Sequence, residues 1–240
     1  MTRPRIRKVA WLLLGCLAVL ASACGSSEEV TTSTGVPVAS DTSESSGSPE
    51  PEPQTTEAAQ DETTTTLSVA SVPTASYADS DFAFTVEYPE GWEVTGDIST
   101  QSSAGGSASK SIGLFDPEGS QTDVLLLDGV VISAYPLSTV VDESLMPVFK
   151  QEIESVLADI EGQLTNSEVL EPLNDIIVNG LPGYVSAFTY EQEGRTMRTR
   201  LIFLVDRDVE YELALQSDAK AWEAQEPLLN VIVSSFHTGG

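Results

Sequence analysis

Apolar positions divide the chain into three stretches. Val9 to Leu20 is almost wholly apolar. From Gly25 to about Ser76 apolar residues are scarce and follow neither the helical nor the strand period, and from Tyr77 onward aromatic and β-branched residues come at globular density. The middle stretch cannot bury enough surface to offset the entropy of ordering it, so residues 24–76 are expected to form a disordered Ser/Thr/Glu/Pro-rich tether. A coil of that length has a root-mean-square span of about 40 Å. The roughly 165 residues that follow, 77–240, suffice for one core of their own.

Within that last stretch the period alternates between two and 3.6. Phe82 to Tyr88 alternates as a half-buried strand does, and Pro89-Glu90-Gly91 is turn chemistry leading into Trp92-Glu93-Val94. The Gly- and Ser-rich run from Ile98 to Ser111 is expected to be a loop. Ile112 to Phe115 and Val124 to Tyr135 are apolar enough for strands, the second with Gly129 as a bulge or turn. Between Ser144 and Gly162, Leu145, Phe149, Ile153, Val156, Leu157 and Ile160 form one helical stripe, with Pro147 in the first turn and Gly162 at the end. Val169 to Val178, Tyr184 to Glu191, Thr196 to Val205 and Glu210 to Gln216 read as four strands. Their connections, Asn179-Gly180, Glu193-Gly194 and Asp206-Arg207-Asp208, are short, which implies antiparallel pairing. Trp222, Gln225, Leu229, Ile232, Val233 and Phe236 predict a second amphipathic helix, kinked or restarted at Pro227. Strands, helix, four meandering strands and helix together predict an α+β domain, an antiparallel sheet covered by helices.

The first stretch is targeting information. Arg3, Arg5, Arg7 and Lys8 precede the apolar run, and Ala21-Ser22-Ala23 supplies small residues before Cys24, the layout of a secretory signal. A bilayer-spanning helix needs ~20 apolar residues for ~30 Å of hydrocarbon, more than this run provides. Leu20-Ala21-Ser22-Ala23-Cys24 resembles the bacterial lipobox, which implies a signal peptide over residues 1–23, diacylglyceryl transfer to the Cys24 thiol and cleavage after Ala23. Leu13-Leu14-Gly15-Cys16 has a similar look, but cleavage there would leave only Val9 to Leu14 as apolar region, against the usual ~7 to 15 residues. Lipidation is therefore assigned to Cys24, on the extracytoplasmic face of the cell membrane. Two or more acyl chains hold a protein stably where one does not.

Charge narrows the partners. Of 11 basic residues, set against 37 acidic ones, four lie in the signal. The seven that remain cannot form the basic patches that nucleic acid or anionic head groups require. An acidic surface keeps an exported protein soluble and repels anions. The Ser/Thr-Pro-rich tether has the composition of an O-glycosylation substrate.

Phe84-x-Val86-x-Tyr88-Pro89-x-Gly91-Trp92, then Val178-Asn179-Gly180-x-Pro182-Gly183, then Ile232-x-x-Ser235-Phe236 resemble the PsbP/Mog superfamily over Tyr77 to His237. The resemblance implies an antiparallel sheet of six or seven strands sandwiched by helices and used as a binding or accessory module. Its members include an extrinsic photosystem II subunit, a Ran-binding regulator and exported lipoproteins. The motifs are structural, and no universal catalytic residue comes with the fold.

Candidate chemistry is sparse. The only histidine, His237, is expected on a frayed tail, which leaves no place for a triad or a histidine-ligated metal, and Cys24 is acylated. No catalytic residue, cofactor-binding residue or metal ligand is assigned. Asp116, Glu118, Asp123 and Asp128 are oxygen ligands close in sequence but lack EF-hand spacing. Arg195, Arg198 and Arg200 are three of the seven remaining basic residues, with Arg198 and Arg200 on one face of a strand. They are candidates for contact with an anionic ligand or an acidic partner, or for neutralising Glu191 and Glu193 across the hairpin. Trp92, Tyr88 and Phe236 are expected to pack as core and corner.

The leading expectation is a non-catalytic envelope lipoprotein whose domain binds, or helps assemble, a protein partner. The alternative is a carrier or sensor of a small amphiphile, a lipid or cell-wall precursor, between sheet and helix. A carboxylate-dependent enzyme would instead need a cleft with two close carboxylates of raised pKa.

Overall fold

The computed structural model describes residues 67–100, 109–122 and 126–239. Cys24, the expected signal peptide, residues 24–66 of the expected tether and Asp123 lie outside the described residues. The core is a seven-stranded sheet in the order β3-β4-β5-β9-β8-β7-β6, with every neighbouring pair antiparallel. Its strands are β3 Glu93–Thr100, β4 Ser109–Phe115, β5 Gly129–Pro136, β6 Thr165–Val178, β7 Leu181–Gln192, β8 Arg195–Asp206 and β9 Val209–Asp218. Helix α1, Met146–Gln163, lies between β5 and β6 in the chain, and helix α2, Trp222–Ser235, follows β9. A smaller sheet pairs β1, Thr74–Asp79, and β10, His237–Thr238, on either side of β2, Phe84–Pro89. The α+β architecture, an antiparallel sheet covered by helices, is the one that period and turn spacing predict, and its seven strands lie within the six or seven that the resemblance implies.

Strand alternation gives each face of the large sheet its own core. Along β8, Ile202 and Leu204 join Leu213, Trp222, Leu229, Ile232 and Phe236 in a cluster with α2 and β2. Their neighbours Leu201, Phe203 and Val205 join Phe149, Ile153, Leu157 and Ile160 of α1 on the opposite face. Both faces are covered, so the middle of β8, Leu201 to Val205, is apolar at every position, as two-sided burial demands. The four buried residues of α1 recur at four- and three-residue spacing.

Several boundaries depart from the sequence reading. β1 begins at Thr74, inside the stretch expected to be tether, and Leu67 already packs against the α2-side core. The tail is not frayed: His237 pairs with Thr85, Phe236 is fully buried and Gly239 N donates to Ala83 O. A two-residue strand, too short to show a period, closes the small sheet there. Helix α2 runs through Pro227 without restarting. The segment before β1 braces the helix there: Pro227 O accepts from Ala70 N at 3.0 Å, and Asn230 Nδ2 donates to Ser68 O at 2.9 Å. Gly129 neither bulges nor turns; it starts β5 opposite Phe115, where a Cβ would lie 2.5 Å from Leu114 O. Part of the expected Ile98–Ser111 loop is strand, because β3 reaches Thr100 and β4 starts at Ser109. The corner Pro89-Glu90-Gly91 carries the chain from the small sheet to the large one, with Trp92 N donating to Pro89 O. Tyr88 and Trp92 pack against the core beside it.

Candidate functional site

β8 brings two cations to the α2 face. Arg198 and Arg200 are two positions apart and therefore on one side of the strand, the side of Ile202 and Leu204. Beneath them lies the fully buried indole of Trp222, the first residue of α2. The guanidinium carbons stand 4.5 Å and 5.6 Å from the centre of that ring, within cation–π range. Acidic side chains from two other elements close the arrangement. Arg200 Nη2 is 2.7 Å from Glu226 Oε1 of α2 and 3.5 Å from Glu171 Oε1 of β6, and Arg198 Nη2 is 3.8 Å from the same Glu171 oxygen. Arg195 does not join them; it reaches Asp218 Oδ2 and the carbonyl of Gln121. The acids that meet the three arginines are thus Glu171, Glu226 and Asp218, not the Glu191 and Glu193 expected from the hairpin. Hairpin position makes Glu191 and Glu193 near in sequence, but strand alternation turns Arg198 and Arg200 toward α2.

The cluster is a latch joining β6, β8 and α2, and its polar capacity is not used up. Arg198 Nε, Trp222 Nε1 and Gln225 Oε1 are buried with no hydrogen-bond partner in the structure, a condition that costs about 1–3 kcal/mol per group. Gln225 Nε2 donates to Asp116 Oδ2 at 3.1 Å, which ties α2 to the end of β4. The side chain of Arg198 remains 27% exposed. Two guanidiniums on an aromatic floor, flanked by two carboxylates, can exchange an internal carboxylate for an external one without burying a new charge.

The acidic run after β4 serves the loop itself. Asp128 is buried and accepts from Ser120 N at 2.7 Å, Ser217 Oγ at 2.8 Å and Asp218 N at 3.1 Å. Asp116 accepts from Glu118 N at 2.9 Å. Among the described residues no three histidine, cysteine, aspartate or glutamate side chains converge as metal ligands.

A pair of carboxyls that sequence reading did not single out lies on the other face. Glu210 and Glu212 alternate with Tyr211 and Leu213 on β9 and point toward α1, opposite Tyr135 and Ser133 of β5. Glu212 is only 1% exposed and its Oε2 has no partner. Burial, and then the nearby Glu210, push its pKa up to about 8; burial, and then Glu152 of α1, push Glu210 up to about 7. Tyr135 is likewise raised by burial and by Glu212. In sequence Val-Glu-Tyr-Glu-Leu is a strand pattern that gives no sign of which face the glutamates take. Only α1, placed by residues some sixty positions earlier, makes that face an interior. The pair has the raised pKa values expected of a catalytic dyad, but Glu212 is sealed between sheet and helix instead of lining a cleft.

The fold and these contacts define an α+β module, an antiparallel sheet with a helix packed on each face and a salt-bridged Arg-Trp latch at its rim. No protein-family model and no curated protein matches the chain in sequence. Among solved structures it is similar to cyanobacterial PsbP (CyanoP) from Synechocystis sp. PCC 6803, with 13% identity, 71% of this chain and 95% of that one covered, and a TM-score of 0.48. It is also similar to LpqN, involved in cell envelope biogenesis of Mycobacterium tuberculosis, with 11% identity, coverage of 70% and 91%, and a TM-score of 0.45. These likenesses concern chain path and carry over no residue's role.

Proposed function

We propose that the protein is a lipid-anchored envelope lipoprotein, held through Cys24 on the extracytoplasmic face, whose domain is a non-catalytic module that binds a protein partner. The observation that carries this reading is the latch of Arg198, Arg200 and Trp222 at the junction of β6, β8 and α2. Arginine and tryptophan are the side chains that most often dominate binding energy at protein interfaces, and here they are gathered from a chain poor in cations. The partner suited to it presents an acidic side chain that replaces Glu171 or Glu226. Between sheet and α2 the space is taken by Trp222, Leu229, Ile232, Val233 and Phe236, none more than 1% exposed, which favours binding at the surface over holding an amphiphile inside. No helix among the described residues is long and apolar enough to cross a membrane.

In-cell crosslinking is the test. A photoreactive residue replacing the exposed Glu223 of α2 is expected to capture one protein partner in intact cells, and Arg198→Glu is expected to abolish the capture while the domain stays folded by circular dichroism. Recovery of no protein, or capture indifferent to Arg198→Glu, would overturn the reading.

A further inference from the structure

The last strand of the large sheet has β7 on one side and no strand on the other among the described residues. An open edge offers alternate N–H and C=O groups to any extended chain, and folded proteins usually blunt such edges with proline, bulges or charge. β6 is blunted over most of its length. Its register against β7 shifts three times between Thr165 and Asn174, and Pro172 lies in that span. The final five residues are different: Asn174 to Val178 pair with Val185 to Leu181 in unbroken register. They contain no proline or lysine, and end in Ile176-Ile177-Val178, a run of β-branched residues suited to strand pairing.

The side chains of this open segment show two chemistries. Ile176 and Val178 turn inward to the α2-side core. On the other face, Ile177 is 74% exposed, the most exposed large apolar residue described, and Val169 and Leu170 are exposed further along the same strand. Asp175, two positions from Ile177 and so on the same side, has its side chain 85% exposed and is met only at 3.5 Å by Lys150 of α1. Glu168 is exposed as well. An apolar residue and a carboxylate in alternate positions call for the converse in a partner: an apolar side chain opposite Ile177 and a lysine or arginine opposite Asp175. A second copy paired antiparallel about Ile176 would set each Asp175 against an apolar Ile177 and offer it no cation, and so fits poorly.

We propose that the Asn174–Val178 edge of β6 is a strand-addition site that receives an extended, alternately basic and apolar segment of a partner protein, antiparallel to β6. Main-chain hydrogen bonds supply the affinity, and Ile177 and Asp175 supply the selection, in the mode of peptide recognition by an exposed sheet edge. This rests on the reading of the domain as a protein-binding module, but uses a surface other than the Arg-Trp latch.

The test uses the full chain and a short synthetic peptide that alternates valine with lysine and threonine. Hydrogen exchange followed residue by residue is expected to slow at 174–178 when the peptide is added. Asp175→Lys is expected to weaken binding about tenfold, Ile177→Lys to weaken it at least as much, and a peptide N-methylated along one edge to show no protection. Both substitutions are at exposed positions, and both variants are expected to keep the wild-type circular dichroism spectrum. The proposal is overturned if protection appears elsewhere, or if a glutamate-for-lysine peptide binds equally well. It is also overturned if Ile177→Lys turns a concentration-dependent dimer into a monomer, which would make a second copy the occupant. If the α2 crosslink persists while this edge protects no peptide, the binding-module reading stands and the edge proposal alone falls.

Discussion

At the scale of single residues, the buried acid on β9 has the largest consequence for behaviour in solution. The folded state holds Glu212 and Glu210 protonated up to about pH 8 and pH 7, whereas an unfolded glutamate loses its proton near pH ~4.3. Between those limits the native state binds more protons than the unfolded one, so stability is fully present below the unfolded value and declines as pH rises through the folded values. At ~1.4 kcal/mol per pKa unit, the loss across that window is on the order of 3 to 5 kcal/mol for either group taken alone, and the two losses do not simply add because their protons are coupled. Asp79 works in the opposite direction. Its burial raises the pKa, but the bonds from Lys110, Phe82 and Asp81 outweigh this and lower it, so its contribution is lost as pH falls through the acid range. A thermal melt is expected to be highest near pH 5 and to fall toward pH 8, and Glu212→Gln, which keeps the shape of the protonated acid, is expected to flatten that fall. A wild-type melting temperature that rises from pH 5 to pH 8 would remove this account of Glu212.

At the scale of elements, the turn between β6 and β7 shows how a local signal takes on a distant task. Asn179 and Gly180 have φ of 50° and 87°, the left-handed pair that a two-residue hairpin requires and that Asn-Gly adopts with least strain. The pair is legible in sequence, and so is the hairpin. Its second role is not legible: Asn179 Nδ2 donates to Ser234 O at 2.9 Å and Phe236 O at 2.8 Å, supplying donors to carbonyls that the end of α2 leaves open. Asn179→Ala is expected to cost about 2 kcal/mol in chemical denaturation, from two lost hydrogen bonds and a left-handed backbone. Asn179→Gly keeps the backbone freedom and isolates the amide, at about 1 kcal/mol. Equal stability of all three proteins would show that the side chain does not cap the helix. The same division holds elsewhere. Period located both helices and the four-strand meander, because those signals lie within ten to twenty residues. The small sheet was missed because β1 begins in polar, low-complexity sequence and β10 has only two residues; long-range pairing with β2 alone makes them strands. Of the candidate site, strand parity showed that Arg198 and Arg200 share a face, but Trp222, Glu171 and Glu226 come from elements that only the folded sheet places beside them.

At the scale of the whole molecule, charge and attachment work together. Seven basic residues beyond the signal face 37 acidic ones, so the domain is repelled by anionic head groups at short range, within a Debye length of about 8 Å at physiological salt. Its own surface is thus poorly suited to resting on an anionic bilayer. Under the function proposed above, attachment there is covalent or through a partner, and the lipobox-like sequence ending at Cys24 is the expected covalent route. A random coil of the length between Cys24 and Leu67, as the composition predicts, would span several Debye lengths, and on the proposed function that would leave both the α2 rim and the β6 edge free to meet proteins. Attachment and binding are then separable, and Cys24→Ala separates them. The variant is expected to pass from the detergent phase to the aqueous phase in a phase-partition assay, while the folded domain keeps its melting temperature and the β6 edge its protection by the basic peptide. Continued partition into detergent by Cys24→Ala would mean that the domain, despite its charge, or an uncleaved signal holds the membrane, and the assignment of Cys24 as anchor would be wrong.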